Sequence, residues 1–280
     1  MEIEFTKMNG AGNDFILVDG RDPAFQLQPE QIRYLCHRRL GIGADGLVIW
    51  RQARNPEEDE SWGFYNSDGS EAEMCGNAAR CFASYLKSKQ EQVSELGSLR
   101  FGTLAGVIRA EFEGDQVTVT LTPPQDLKMD QSIEVDGRRL TVHTVDTGVP
   151  HAVIFVPDPD LAMVQDLGRK IRFHEQFSPK GLNVNFVTAP DSDSDSDLLV
   201  VRTYERGVEG ETLACGTGVT AAALAISMSS TRCSPIRLKV HSGDILEVRF
   251  SKTQSGFEDV HLTGPAVEVF QGCLRLGEMI

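Results

Sequence analysis

Two cysteines 140 residues apart, Cys75 and Cys215, stand in matching local sequence. The first lies in EMCGNAAR (73–80) and the second in LACGTGVTAAALAI (213–226). Each is followed by glycine, then a polar residue, then good helix formers, so each marks a helix start. A thiol there is shifted toward thiolate by the unpaired N–H groups and the helix dipole. The same N–H groups bind a carboxylate. Gly76 and Gly216 let a ligand approach the backbone closely. Asn77 and Thr217 add polar side chains at the same turn.

If the two helix starts face one another, a carboxylate fits between them with one sulfur on each side of the adjacent carbon. Reacting groups approach to about 3–3.5 Å, so the sulfurs would stand about 6–7 Å apart. A thiolate then removes a proton from one face, the opposite thiol returns one to the other, and the stereocentre inverts. The helix ends stabilise the carbanion between the two steps. Single helical cysteines are more often small core residues, and Cys36, Cys81, Cys233 and Cys273 are read that way. The repeated Cys-Gly-polar context sets Cys75 and Cys215 apart.

The elements that must position them also repeat. FYNSDGSEAEMCGN and TYERGVEGETLACGT each run from a strand through a glycine-containing loop to cysteine, with Tyr65 ten and Tyr204 eleven residues upstream. This is the mark of an internal duplication. Alternating runs such as IEFTKM, FILVDG, GLVIW, HAVIFV and LLVVRTYE predict many strands. VDGR, HSGD and EGDQ predict antiparallel hairpins. Helices are predicted at 29–40, between Pro29 and Gly41, and at 76–90, 160–175 and 216–230. The last is apolar nearly all round and belongs inside the protein. The expectation is two central helices, each wrapped by strands.

The chain has 280 residues, 40% hydrophobic and 24% charged, with a net charge of −14. That is a globular composition, and its acidity argues against nucleic acid or an anionic membrane as partner. No apolar run reaches the length of a membrane span, and no signal peptide is read at the start. The six cysteines form no CxxC and no zinc spacing, so thiols kept reduced in a cytosol are expected and no metal. The acidic run at 190–198 reads as a solvated loop. GIGADG (41–46) fits a nucleotide-binding glycine pattern, but it follows a helix and precedes a strand, the reverse of the required order. MNGAGND lacks the lysine of a phosphate-binding loop.

MNGAGNDF, GIGADGLV, YNSDGSEAEMCGNAARC, GVPHAV, NVNFV, YERGVEGETLACGTG and LTGPAVEVF occur in this order along almost the whole chain. In these motifs the chain closely resembles the diaminopimelate epimerase family. The resemblance implies an enzyme without cofactor that interconverts LL- and meso-2,6-diaminopimelate, on the route to lysine and peptidoglycan. It implies Cys75 and Cys215 as the acid/base pair. Asn13, Asn66, Asn185, Glu205 and Arg206 would contact substrate, and Gly76, Asn77, Gly216 and Thr217 would hold the reacting carboxylate. Arg206 offers a bidentate fork for a distal carboxylate. Glu205 could pair with an ammonium or tune a cysteine, and His151 could pass a proton to or from a thiol.

The implied fold is α/β in the α+β sense. It has two pseudo-symmetric lobes, each a mainly antiparallel, barrel-like sheet around a central helix. Their expected extents are 1–120 plus 265–280, and 121–264, with the last strand returning to the first lobe. A small amino-acid substrate and a homodimer also follow from the resemblance, and the cytoplasmic setting is the one read above from the start of the chain and its cysteines. Val149 stands where many members carry asparagine, and Gly46 where some carry glutamine. These departures suggest tolerance for simpler amino acids, glutamate among them. Rival readings are a related two-cysteine racemase of the proline type, a thiol-redox protein using the same cysteines, and a non-catalytic amino-acid-binding module. The proline-type enzymes usually have His after Cys-Gly, where this chain has Asn77, and lack YERG.

Overall fold

The computed structural model describes residues 1–161, 163–189, 198–254 and 256–277. Most of the acidic run, residues 190–197, lies outside them. The chain divides into two compact units, Met1–Val119 with Gly264–Ile280, and Thr120–Thr263.

In the first unit the elements are β1 (Glu2–Gly10), β2 (Asn13–Asp19), α1 (Pro29–Cys36), β3 (Gly46–Arg51), β4 (Glu60–Asn66), α2 (Gly76–Lys89), α3 (Glu91–Leu96), β5 (Ser98–Thr103), β6 (Gly106–Glu113) and β7 (Gln116–Thr120). The second holds β8 (Gln125–Val135), β9 (Arg138–Asp146), β10 (Pro150–Val156), α4 (Val164–Arg172), β11 (Asn183–Thr188), β12 (Leu199–Glu205), β13 (Gly210–Thr212), α5 (Gly216–Ser229), β14 (Ile236–Lys239), β15 (Ile245–Lys252) and most of β16 (Phe257–Pro265). The final strand, β17 (Val267–Arg275), returns to the first unit and pairs antiparallel with β1.

The duplication read from the cysteine motifs extends to the strand order. In the first unit the pairs β17–β1 and β1–β2 are antiparallel, β2–β3 parallel, β3–β4 antiparallel, β4–β5 parallel and β5–β6 and β6–β7 antiparallel. In the second, β8–β9, β9–β10, β10–β11, β11–β12, β12–β14, β14–β15 and β15–β16 repeat that sequence of directions. Parallel neighbours need a crossover. In each unit the first parallel step contains a short helix, α1 or α4, and the second contains the central helix, α2 or α5.

The central helices follow from composition. Ten of the fourteen residues of α2 and eleven of the fourteen of α5 are buried. Ala78, Ala79 and Ala83 in one, and Ala221, Ala222, Ala223 and Ala225 in the other, leave room for strands to close around the helix. The Cys36-containing core of the first unit gathers Ile16, Ile32, Leu35 and Leu47, and that of the second gathers Val142, Val184, Phe186 and Tyr204. Cys36 and Cys81 are buried, while Cys233 and Cys273 are exposed and so are not core residues.

Two helices are shorter than their sequence pattern suggests. α1 stops at Cys36, not at residue 40, because His37 leaves the helical backbone and its Nδ1 accepts from the N–H groups of Arg39 and Leu40 at 3.1 and 3.0 Å. The chain then turns through Gly43 at φ +81° and gives its N–H, with that of Ile42, to the Leu35 carbonyl. α4 runs only from Val164 to Arg172. His174 accepts from Gln176 N–H and opens a separate short turn, which stops the helix. The strand β8 carries Leu127, Met129, Ile133 and Val135 at alternate positions, with polar Gln131 interrupting the apolar row. Asp126 and Asp130 sit at positive φ, and the register slips twice. The VDGR hairpin has Asp136 and Gly137 both at positive φ, as a tight two-residue turn requires.

Candidate active site

Each cysteine occupies the residue just before its central helix, in extended backbone: Cys75 at φ −145°, ψ 122°, and Cys215 at φ −127°, ψ 107°. Their carbonyls accept the first helical hydrogen bonds, from Ala79 at 2.8 Å and Val219 at 2.9 Å. Neither cysteine side chain caps its helix, and neither first turn carries an acidic residue. The positive end of each helix is therefore not met by a carboxylate from its own first turn.

In the first unit, a loop brings β4 to Cys75. Asn66 ends the strand, exposed, and donates from Nδ2 to Ser70 Oγ at 3.1 Å. Ala72 N–H donates back to the Phe64 carbonyl. The MNGAGND stretch is the β1–β2 hairpin, with Ala11 at φ 58° and Gly12 at φ 102°. Gly10 packs against the start of α2 so closely that a Cβ there would stand 2.9 Å from the Asn77 carbonyl oxygen. This contact brings Asn13, just beyond the hairpin turn, to Asn77. The Asn77 Nδ2 donates to Asn13 Oδ1, and Asn13 Nδ2 donates to Asp45 Oδ2 at 3.0 Å. Asp14, next to Asn13, pairs with Lys7 and Arg38, and these partners hold its carboxyl at about 2 against the penalty of burial.

In the second unit, Cys215 Sγ lies 3.4 Å from Thr217 Oγ1. The Thr217 carbonyl accepts from Thr147 Oγ1 at 3.0 Å, and the Gly216 carbonyl from Thr220 Oγ1 at 3.0 Å. Asn185, fully buried on β11, reaches the same turn. A Cβ on Gly218 would fall 2.3 Å from its Oδ1. Its Oδ1 accepts from Thr203 Oγ1 at 2.9 Å and its Nδ2 donates to the Ala152 carbonyl at 2.9 Å. His151 sits 3.1 Å from that Nδ2 through Nδ1 and is fully buried. Burial, aided by the charge of Arg206, pushes its imidazole down to about 3, so the ring is neutral near pH 7. The Asn185 amide nitrogen faces Nδ1 at 3.1 Å and the Asn183 amide nitrogen faces Nε2 at 3.5 Å, so the ring lies between two asparagine side chains. In this arrangement His151 anchors Asn185.

Glu205 and Arg206 begin the turn between β12 and β13, with Gly207 at φ 94°. The Arg206 N–H donates to Asn183 Oδ1 at 2.7 Å, fixing the turn to the start of β11. Both side chains are partly exposed.

The structure thus groups Asn13, Asn77, Gly76 and Cys75 in one unit, with Asn66 at the mouth of their loop. It groups Asn185, His151, Gly216, Thr217 and Cys215 in the other, with Glu205 and Arg206 on an adjoining turn. Sequence reasoning passed over Arg80, Thr147, Asn183, Thr203 and Gly218. Only Arg80 had a legible signal: it is one helical turn beyond Gly76, on the same face. Gly46 has no room for a side chain, since a Cβ there would meet the Tyr65 carbonyl oxygen at 2.8 Å. Among the described residues no group of three or more His, Cys, Asp or Glu is placed to hold a metal ion.

The fold has relatives among solved structures. A phenazine biosynthesis protein of the PhzF family from Bacillus anthracis superposes with a TM-score of 0.75 at 14% identity, covering 99% of this chain and 100% of that one. A hydroxyproline epimerase from Agrobacterium vitis, solved with trans-4-hydroxy-L-proline, gives 0.71 at 16% identity, covering 98% and 92%. The doubled unit is therefore the α/β fold shared by PhzF-family proteins and proline-type epimerases, here with a cysteine at the head of each central helix. In sequence, residues 5–127 and 143–268 match the model for diaminopimelate epimerase. The diaminopimelate epimerase of Aquifex aeolicus is 43% identical over 289 residues, covering 99% of both chains. The chain belongs to the diaminopimelate epimerase family.

Proposed function

We propose that this protein is an isomerase that interconverts LL- and meso-2,6-diaminopimelate, a step toward lysine and peptidoglycan precursors, in the cytoplasm. One cysteine, as thiolate, takes the α-proton, and the other, as thiol, delivers a proton to the opposite face. The roles exchange with direction, so protons balance without a further reagent. Gly76 and Asn77, with Gly216 and Thr217, offer helix-start N–H groups to the carboxylate, which carries the growing charge of the carbanion. Asn13, Asn66 and Asn185 orient the substrate, Arg206 takes the distal carboxylate as a fork, and Glu205 pairs with an ammonium.

The observation that carries this reading is the duplication: two units of one strand order, each with a cysteine in the same place at its central helix, in a member of this family. Neutral His151 supports Asn185 in this scheme, and proton handling rests on the thiols. No helix among the described residues is long and apolar enough to cross a membrane.

The test is incubation with LL-diaminopimelate in D2O. Deuterium should enter the α-position as the meso form appears. Cys75→Ala and Cys215→Ala should each abolish net epimerisation, because each face needs its own acid/base group. Near-normal turnover by either variant in both directions would end the two-base account.

A further inference from the structure

The first unit contains a chain of side-chain hydrogen bonds with a fixed direction. It starts at Arg80, four residues past Gly76 and fully buried. Arg80 Nη2 donates to Asn77 Oδ1 at 2.8 Å and Nη1 to the Gly76 carbonyl at 3.3 Å. The Asn77 amide donates to Asn13 Oδ1, and the Asn13 amide donates to Asp45 Oδ2 at 3.0 Å. At the far end the other carboxylate oxygen, Asp45 Oδ1, accepts from Arg38 at 2.7 Å.

A guanidinium only donates and a carboxylate only accepts, whereas an asparagine amide does both and can be turned either way. Two amides between a donor-only and an acceptor-only end have one arrangement without conflict. Turning Asn77 sets its NH2 against the Arg80 fork, and turning Asn13 sets its carbonyl against Asp45. The first error leaves groups unmet beside the buried Arg80 charge, where such losses are costly, and the second sets two acceptors against each other at the surface.

We propose that Arg80 and Asp45 are positioning residues for the reaction: between them they polarise the Asn77 and Asn13 amides in one sense and hold the β1–β2 hairpin and the start of α2 ready for substrate. This rests on the reading of Asn13 and Asn77 as substrate-contacting residues. Arg80 acts from inside the protein. Asp45 acts from the surface, its side chain 42% exposed, and so can be changed without opening the core.

The polarity can be reversed by competition. In Asp45→Asn the one amide oxygen cannot serve both Arg38 and Asn13. The charged donor wins, the new NH2 faces Asn13, and Asn13 must turn away from Asn77. Removing Arg38, whose side chain is 59% exposed, frees that oxygen for Asn13 again. The expected result is that Asp45→Asn raises KM for LL-diaminopimelate about tenfold, with kcat within about threefold and an unchanged melting temperature. Arg38→Ala alone also removes its two bonds to Asp14, at 2.9 and 2.7 Å, so it sets its own baseline. Asp45→Asn with Arg38→Ala should have a lower KM than Asp45→Asn alone.

A structural role alone gives additive losses and no rescue. An Asp45→Asn enzyme with parental KM, or a double variant no better than the single one, overturns the proposal. The side-chain amide signals of Asn13 and Asn77 in 15N-labelled protein, taken without substrate, give a readout independent of turnover. They should shift and exchange faster in Asp45→Asn and return in the double variant, and unchanged signals overturn the relay. A parent that fails to epimerise diaminopimelate but shows the amide pattern would fault the assigned function and leave the relay standing.

Discussion

Cys215 Sγ stands 3.4 Å from Thr217 Oγ1, two residues into the helix that the cysteine heads. A hydroxyl at that distance can donate to a thiolate or accept from a thiol, so it serves both protonation states. Thr217→Val, which keeps the shape, should lower kcat/KM by about tenfold, the order of one hydrogen bond to a charged group. Thr217→Ser should keep most of the activity. Steady-state rates in both directions decide it, and a valine variant at the parental rate would remove the Thr217 hydroxyl from the chemistry.

Gly218 is where α5 meets Asn185. The absent Cβ would lie 2.3 Å from Asn185 Oδ1 and 3.3 Å from Cys215 Sγ. Gly218→Ala must therefore displace Asn185 from Thr203 or shift the helix start. Overpacking of this kind costs about 1–3 kcal/mol. Urea unfolding should report that loss, and activity should fall further than stability because the displaced groups are those of the site. A variant as stable and as active as the parent would show that the turn yields easily.

Buried His151 sets a pH dependence of stability. Its imidazole is pushed from 6.5 to about 3 by burial, with Arg206 adding to the effect. The folded value lies below the unfolded one, so below pH 6.5 the unfolded chain binds a proton that the native state refuses. Stability is complete above pH 6.5 and falls as pH drops toward 3, by about 1.4 kcal/mol per unit from this group. His151→Asn should flatten the curve between pH 6 and 4 in urea titrations. Asp14 acts lower: its carboxyl is held at about 2 against an ordinary 3.8, so its contribution is present above 3.8 and lost only as pH falls through that window. A His151→Asn curve parallel to the parent's down to pH 4 contradicts the assignment.

Val149 is half-buried just before the Pro150–His151 strand start, between Gly148 at φ 102° and β10. An apolar side chain there cannot hydrogen-bond a distal carboxylate or ammonium. The expectation is slow racemisation of L-glutamate beside the main reaction, with Val149→Asn suppressing it. Chiral chromatography after incubation at high enzyme concentration measures this, and no D-glutamate from the parent rules it out.

The two cysteines, their glycines and the polar residues after them were legible because helix starts are local events, written in a few adjacent residues. The duplication was legible for the same reason, as a repeated string. The apolar run of α5 announced its own burial. The end of α1 was hidden because the His37 side chain took over backbone N–H groups that the pattern had given to the helix, and that of α4 because His174 opens a separate short turn. β8 was passed over although Leu127, Met129, Ile133 and Val135 alternate along it, because polar Gln131 breaks the apolar row; its aspartates at positive φ and its register slips show only in the folded chain.

By itself, then, the sequence determined that a cysteine heads each of two helices and that the protein uses the same plan twice. Only the tertiary structure decided what orients them. The directed chain from Arg80 through Asn77 and Asn13 to Asp45 joins three elements across up to 64 positions in the chain. Gly218 matters because Asn185, 33 residues earlier, comes to rest against it. Such partnerships depend on which strands lie side by side, and side-chain type and local spacing carry no record of that.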